Sequence, residues 1–284
     1  MIQDIAPSGL NNRYVACTPG AEDRILLFDT SGRMYAAIRD RQLRFPSEAE
    51  VPATGAVYLF SVDETRYFLA GEDRDEPPEG FGRYTIRELR DLGGGKDLFA
   101  AFTAWHLWRW YRDNRFCGRC GSPNGFHDTE RALQCAGCGQ VVYPRINPAV
   151  IVGVIRGDCL LITRYRTGYA HNALVAGFTE IGETLEQTVA REVMEETGVR
   201  VKNIRYYKSQ PWGMAQDLLA GFFCEADGDG EIRMDESELK YAEWVGRDEI
   251  VLQPNNLSLT NEMMKVFKEG QVGVQSTSSS FRHS

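Results

Sequence analysis

The stretch GETLEQTVAREVMEETGV, from Gly182 to Val199, sets Glu183, Glu186, Glu192, Glu195 and Glu196 against a single basic residue, Arg191. Its pattern predicts a helix. Thr184 can N-cap it, Gln187 stands in capping-box position three residues on, and Gly198 is a natural stop. The residues between are good helix formers. At about 100° per residue, Leu185, Val189 and Val193 form one apolar stripe. Glu192 and Glu196 fall at the margin of that stripe or inside it, and Glu195 lies one turn from Glu192. A solvated acidic face would lie opposite the core. Carboxylates at a core margin are costly unless they are paired or metal-bound. On pattern alone, an ion-paired structural face and a metal site both fit.

A second constraint comes from cysteine. Cys117, Cys120, Cys135 and Cys138 form C-x2-C-x14-C-x2-C, just short of the usual spacing of a four-cysteine zinc site. Each pair is followed by glycine, in CGRCG and CAGCG, as in two tight knuckles whose backbone amides approach thiolate sulfur. Two disulfides in a secreted protein are the other reading, and they need an oxidising compartment. The expectation is structural Zn²⁺, with all four tetrahedral positions filled by thiolate and none left for catalysis. Cys17, Cys159 and Cys224 have no such spacing and read as ordinary packed cysteines.

The chain of 284 residues has room for one large or two modest domains. Its net charge of -8 does not favour nucleic-acid docking as its main task. The start, MIQDIAPSGLNN, lacks an apolar run of signal-peptide length. No run approaches the about 18 apolar residues that a membrane span needs. The expectation is a cytosolic protein with no membrane partner.

Residues 1–94 read as a β-rich domain of short alternating runs such as RILLFDT, MYAAIRD and AVYLFSV. Residues 95–145 hold an aromatic helix, LFAAFTAWHLWRWYRDN, and the cysteine knuckles. The helix's aromatic stripe and His106 read as core packing. Residues 146–269 alternate strands with the acidic helix and end on a helix in NLSLTNEMMKVFKEG, and the tail, 270–284, is expected to be disordered.

From Gly177 the chain reads G-x5-E-x7-R-E-V-x-E-E-x-G-V, through Gly177, Glu183, Arg191, Glu192, Val193, Glu195, Glu196, Gly198 and Val199. This resembles the signature of the Nudix hydrolases at every defining position. The resemblance implies an α+β protein whose catalytic domain is an α/β/α sandwich. It also implies catalytic roles for Glu183, Arg191, Glu192, Glu195 and Glu196. The chemistry suits the residues, because Mg²⁺ and Mn²⁺ prefer oxygen ligands. Such ions neutralise a pyrophosphate and activate a water for attack on phosphorus.

A zinc ribbon before that signature, behind a β-rich domain, resembles the bacterial NADH pyrophosphatases. The family hydrolyses NADH or NAD to nicotinamide mononucleotide and AMP, removes NAD caps from RNA, and forms homodimers. Carried over by position, the metal ligands are Glu192, Glu195, Glu196, Glu238 and the backbone carbonyl of Ala176. Phe178 and Tyr143 match the rings that hold the base, and Glu130 and Arg87 match polar contacts. After the helix the family carries S-Q-P-W-P-F-P-x-S. Here Ser209, Gln210, Pro211 and Trp212 are followed by Gly213, Met214, Ala215, Gln216 and Asp217. Losing two prolines implies a looser substrate loop. Asp217 in place of serine implies negative charge near an anionic substrate. Both point to weaker preference for NADH over NAD⁺, ADP-ribose or related diphosphates. A non-catalytic nucleotide sensor is the alternative from another class. Loss of signature glutamates would favour it, and none is lost.

Overall fold

The computed structural model describes residues 1–167 and 171–272. Residues 273–284, most of the tail expected to be disordered, lie outside it. Contacts divide the chain into two units. One comprises Ile2–Ile146 with Pro211–Asp217, and the other Met1, Asn147–Gln210 and the chain from Leu218 onward.

The N-terminal unit begins with seven short strands: β1 (Leu10–Asn11), β2 (Arg24–Leu26), β3 (Met34–Arg39), β4 (Gln42–Arg44), β5 (Val57–Val62), β6 (Thr65–Leu69) and β7 (Gly82–Tyr84). They form one sheet in the order β1-β5-β6-β2 and a second in the order β4-β3-β7. The alternating runs bury Ile25, Leu27, Tyr35, Tyr58 and Phe68 together. A helix the β-rich reading lacked, α1 (Ile86–Leu92), follows. Thr85 and Glu88 cap it reciprocally. The aromatic run forms α2 (Gly95–Asp113), in which Phe99, Phe102, Leu107, Trp108 and Trp110 are buried. Trp108 stacks on Phe28 at 4.6 Å and donates its indole N–H to Asp73 at 3.0 Å. His106 is packed as expected, its Nε2 lying 2.8 Å from the Arg145 carbonyl. The knuckles lie around a small sheet of β8 (Asn124–Phe126), β9 (Leu133–Cys135) and β10 (Val141–Val142), ordered β10-β9-β8.

The C-terminal unit is a three-layer sandwich. Its strands are β11 (Asn147–Arg156), β12 (Cys159–Tyr165), β13 (Val175–Phe178), β14 (Arg200–Trp212), β15 (Asp217–Asp227) and β16 (Leu239–Gly246). The sheet runs β14-β15-β11-β12-β16, with β13 paired antiparallel to β11. The acidic stretch forms α3 (Leu185–Thr197), and the closing helix is α4 (Leu259–Lys268). Strand alternation divides the core. Val150, Val152, Val154 and Phe222 face Val189 and Val193 of α3. Ile151, Leu160, Ile162 and Phe223 pack with Leu259, Met263, Met264 and Phe267 of α4. Because successive strand residues point to opposite faces, near-continuous apolar runs are what a sheet covered on both sides requires. Among the described residues no helix is long and apolar enough to cross a membrane.

Candidate active site

Helix α3 has the ends its sequence predicts. The Thr184 hydroxyl accepts from the Gln187 N–H at 3.2 Å, and the Gln187 side chain accepts from the Thr184 N–H at 2.8 Å. Gly198 closes the helix in the left-handed conformation, at φ 70°. With both ends fixed, the helix turns Val189 and Val193 into the core and carries Glu196 in beside them. Glu196 is 3% exposed, whereas the side chain of Glu195 is 61% exposed.

Arg191 organises the acidic groups. Its Nε and Nη2 donate as a fork to Glu183, at 2.6 and 2.9 Å, and Nη2 also reaches the Phe178 carbonyl at 2.9 Å. Nη1 bridges Glu192 at 2.8 Å and Glu195 at 3.0 Å. The forked bond from Arg191, with the Glu180 N–H, pulls the Glu183 carboxyl down to about 2. Glu192 and Glu196 are pushed the other way. Burial raises both, the charge of Glu238 adds to each, and Glu196 reaches about 8. A buried carboxylate beside other carboxylates, lacking a full complement of cationic partners, suits a bound cation.

Two residues of β13 fit the helix to this task. A β-carbon on Gly177 would stand 1.9 Å from the carboxyl carbon of Glu192, so only glycine leaves the carboxylate its place against the strand. Next to it, the Ala176 N–H donates to the Tyr165 hydroxyl at 3.1 Å, and that hydroxyl lies 3.0 Å from a Glu196 oxygen. Glu192, Glu195, Glu196, Glu238 and the Ala176 carbonyl would offer a cation oxygen only, the donor type that Mg²⁺ and Mn²⁺ prefer, although among the described residues the carboxylates are not gathered into one cluster as the four cysteines are.

The four cysteines form a second centre. The sulfur atoms of Cys117, Cys120, Cys135 and Cys138 all lie within 4.8 Å of one another. The Cys117–Cys138 and Cys120–Cys135 distances are 3.8 and 3.4 Å. Four thiolates at about 2.3 Å from Zn²⁺ fit such spacing. The knuckles behave as their glycines suggest. The Arg119 N–H approaches the Cys117 sulfur at 3.4 Å, and the Gly137 N–H approaches the Cys135 sulfur at 3.3 Å. Hydrogen bonds from the Ser122 backbone and hydroxyl hold the Cys120 thiol below its ordinary value, whereas the neighbouring sulfurs push Cys138 up.

Residues 145–267 match the family model of the Nudix domain, and residues 112–143 match that of the NADH pyrophosphatase zinc ribbon domain. The chain carries a Nudix domain. Among curated relatives, "NAD-capped RNA hydrolase NudC" of Klebsiella pneumoniae is 46% identical over 151 residues, covering 52% of this chain and 58% of its own. The protein of the same name from Salmonella paratyphi C is 46% identical over 173 residues, covering 60% of this chain and 66% of its own. The matches thus span 58% and 66% of these relatives' length, less than two thirds of each. A solved Nudix hydrolase from Nitrosomonas europaea is 23% identical, covers 56% of this chain and 93% of its own, and has a TM-score of 0.48.

The remaining residues picked from sequence are distributed between the two units. Phe178 belongs to the Nudix unit and is 51% exposed, and Tyr143, in the N-terminal unit, is 57% exposed. The Tyr143 hydroxyl donates to Glu130 at 2.9 Å, so two of the expected contacts are joined. Arg87 is exposed on α1. Gln210 is fully buried. Its amide donates to the Leu257 carbonyl at 2.8 Å and accepts from the Leu259 N–H at 2.7 Å, so its side chain holds the start of α4.

The loop after Trp212 differs from the loose segment its lost prolines imply. The Ala215 N–H bonds the Trp212 carbonyl and the Gln216 N–H bonds the Gly213 carbonyl, each at 3.2 Å. Gln216 sits at φ 62° and accepts from Arg145 at 2.7 Å, while Trp212 packs edge-on against Phe102. Packing against α2 and two turn bonds therefore restrain what proline would have restrained. Asp217 is 6% exposed, turned inward rather than displayed to an anion, and Pro211 and Ala215 are the loop's exposed residues. Tyr165, whose hydroxyl bonds both Glu196 and the Ala176 N–H, is a neighbour of these groups that the sequence reading did not single out.

Proposed function

We propose that this protein is a metal-dependent pyrophosphatase that splits NADH or NAD into nicotinamide mononucleotide and AMP, and that it also acts on NAD-capped RNA. The observation that carries the reading is the intact glutamate set, ordered by Arg191, in a Nudix domain that directly follows an NADH-pyrophosphatase zinc ribbon. The curated relatives' name supports the substrate class.

Glu192, Glu195, Glu196, Glu238 and the Ala176 carbonyl hold Mg²⁺ or Mn²⁺ in this reading. A divalent ion there supplies charge neutralisation at the pyrophosphate and a more acidic water. Arg191 fixes Glu192 and Glu195 through one nitrogen while its fork is anchored on Glu183, so both carboxylates are oriented before substrate arrives. The open ring of Phe178 offers a face for a base, as does that of Tyr143. Pro211, Trp212, Met214 and Ala215 are substrate contacts in this reading only through the family pattern that their positions match. The zinc is structural. A homodimer and a cytosolic location, where thiols stay reduced, complete the reading.

The test is a panel of NADH, NAD⁺, ADP-ribose, diadenosine polyphosphates and NAD-capped RNA with Mg²⁺ or Mn²⁺, products being resolved by chromatography. Nicotinamide mononucleotide and AMP are expected from both dinucleotides. Failure to cleave any dinucleotide with either ion sinks the reading. A second reading, a broader nucleoside-diphosphate pyrophosphatase, is favoured by the replacement of Pro-Phe-Pro with Gly213-Met214-Ala215. Faster turnover of ADP-ribose than of NADH would select it.

A further inference from the structure

Tyr165 lies outside the Nudix signature, and no role above uses it. It ends β12 at a break in register. Arg164 is opposite Tyr241, but Tyr165 is opposite Leu239, which leaves Lys240 as an extra residue on β16. Such a bulge re-aims side chains next to it. Glu238 immediately precedes the bulged stretch, and its carbonyl accepts the Arg166 N–H at 3.0 Å. The bulge thus sets both Tyr165 and Glu238.

The Tyr165 hydroxyl has four polar neighbours, the most distant being the Ala176 carbonyl at 3.4 Å. It accepts the Ala176 N–H at 3.1 Å, and it stands 3.0 and 3.2 Å from the two oxygens of Glu196. A phenol has one proton to give. With the Ala176 N–H on a lone pair, the Glu196 oxygens lie nearer that proton than the Ala176 carbonyl does, and an ionised Glu196 accepts it. The phenol therefore connects the peptide of Ala176 to the carboxylate of Glu196. In the metal-dependent reading these are two ligand positions from different elements, β13 and α3, and Arg191, which holds Glu192 and Glu195, ties neither of them.

We infer that Tyr165 is a positioning residue for the divalent metal: it holds the Glu196 carboxylate and the Ala176 backbone in register, so that the ion meets ligands already in place. The inference rests on the metal-dependent reading above. Its chemistry is that of an outer partner that orients a ligand, and losing such partners lowers metal affinity by about 10–100-fold.

The experiment uses the zinc-loaded full chain and its Tyr165→Phe variant, which differ by one oxygen. Mn²⁺ binding is read directly from the paramagnetic resonance of free Mn²⁺, without substrate. The expected result is a Kd for Mn²⁺ raised about tenfold or more. The Mg²⁺ concentration for half-maximal hydrolysis should rise in parallel, while kcat at saturating Mg²⁺ falls much less. A merely structural tyrosine would lower Tm and leave the Mn²⁺ Kd alone. An unchanged Kd in folded Tyr165→Phe overturns the inference. If that variant does not fold, 3-fluorotyrosine placed at position 165 alone keeps the hydroxyl. Its fluorine resonance should then move on Mg²⁺ titration with the midpoint of activity, and a resonance that stays put overturns the inference. Wild-type protein that binds Mn²⁺ but cleaves no dinucleotide defeats the substrate reading and leaves Tyr165's role standing. Wild-type protein whose Mn²⁺ binding is indifferent to Glu196→Gln defeats both.

Discussion

A β-carbon on Gly213 would lie 2.1 Å from the carbonyl oxygen of Phe102, inside any tolerable contact. The loop after Trp212 is thus pressed onto α2 at a point where only glycine fits. This reverses what its sequence suggests. Introducing two prolines with Gly213→Pro, Met214→Phe and Ala215→Pro is therefore expected to disrupt the loop and not to sharpen substrate preference. The first change collides with Phe102, and the third deletes the N–H that bonds Trp212. Gly213→Ala alone should lower kcat/KM for NADH by about a hundredfold if the loop shifts by an ångström, a displacement of the size known to cost that much. Met214→Phe alone, at a half-buried position without a turn bond, is the change expected to raise the NADH-over-NAD⁺ ratio. Steady-state kinetics with both dinucleotides check this, and an active Gly213→Pro variant of normal kcat/KM would refute the packing argument.

The carboxylates give the second prediction. Glu192→Gln and Glu196→Gln keep side-chain volume and remove the charge proposed to hold the ion. Each should cost at least about a hundredfold in turnover, comparable with losing one preorganised electrostatic group. Circular dichroism should show an unchanged fold. Glu195→Gln should cost less than Glu196→Gln, because Glu195 is largely exposed and its field is screened by water. Near-normal turnover by both buried-side variants with Mg²⁺ would remove the site from consideration.

Zinc gives the third. One Zn²⁺ per chain is expected by elemental analysis. Cys117→Ser removes a buried ligand and should release the ion, because a structural site gives its binding energy to folding. Tm should fall by several degrees, at about 2–4 °C per kcal/mol for a domain of this size. At a temperature where the variant is still folded, kcat should change little. A stable, zinc-free and inactive variant would mean that the ion acts in the chemistry.

How much of this was legible in the sequence depends on the range of each interaction. The limits of α3 were, because Thr184, Gln187 and Gly198 act within a turn, and the stripe of Leu185, Val189 and Val193 has helical period. The sulfur cluster was legible for the same reason. The Thr85–Glu88 capping box was equally local, a T-x-x-E signal before an apolar run, and was passed over because the surroundings read as strand. The loop was misjudged differently. Counting prolines measures what restrains an isolated segment, whereas Phe102 and Arg145, more than seventy residues away for the latter's partner, Gln216, supply restraint that only tertiary packing reveals. Tyr165 was out of reach because its aim depends on a register shift against β16, and a one-residue bulge leaves no mark in the alternation of CLLITRY.

The last prediction concerns Gly177, where sequence and structure make the same demand for different reasons. The signature requires glycine there, and the geometry explains it: a methyl group would occupy the space of the Glu192 carboxyl carbon, 1.9 Å from the added atom. Gly177→Ala should therefore act through Glu192. The strand can keep its pairing with Val150, since alanine suits an extended backbone, and the carboxylate must swing away, taking the Arg191 bond with it. Turnover should fall about as far as in Glu192→Gln, roughly a hundredfold. The effects should not add. In the double variant the alanine has no catalytic carboxylate left to displace, so Gly177→Ala should cost little further when made on Glu192→Gln, the signature of two changes acting on one group. A double variant whose loss is the product of the two single losses would show that Gly177 serves catalysis by another route.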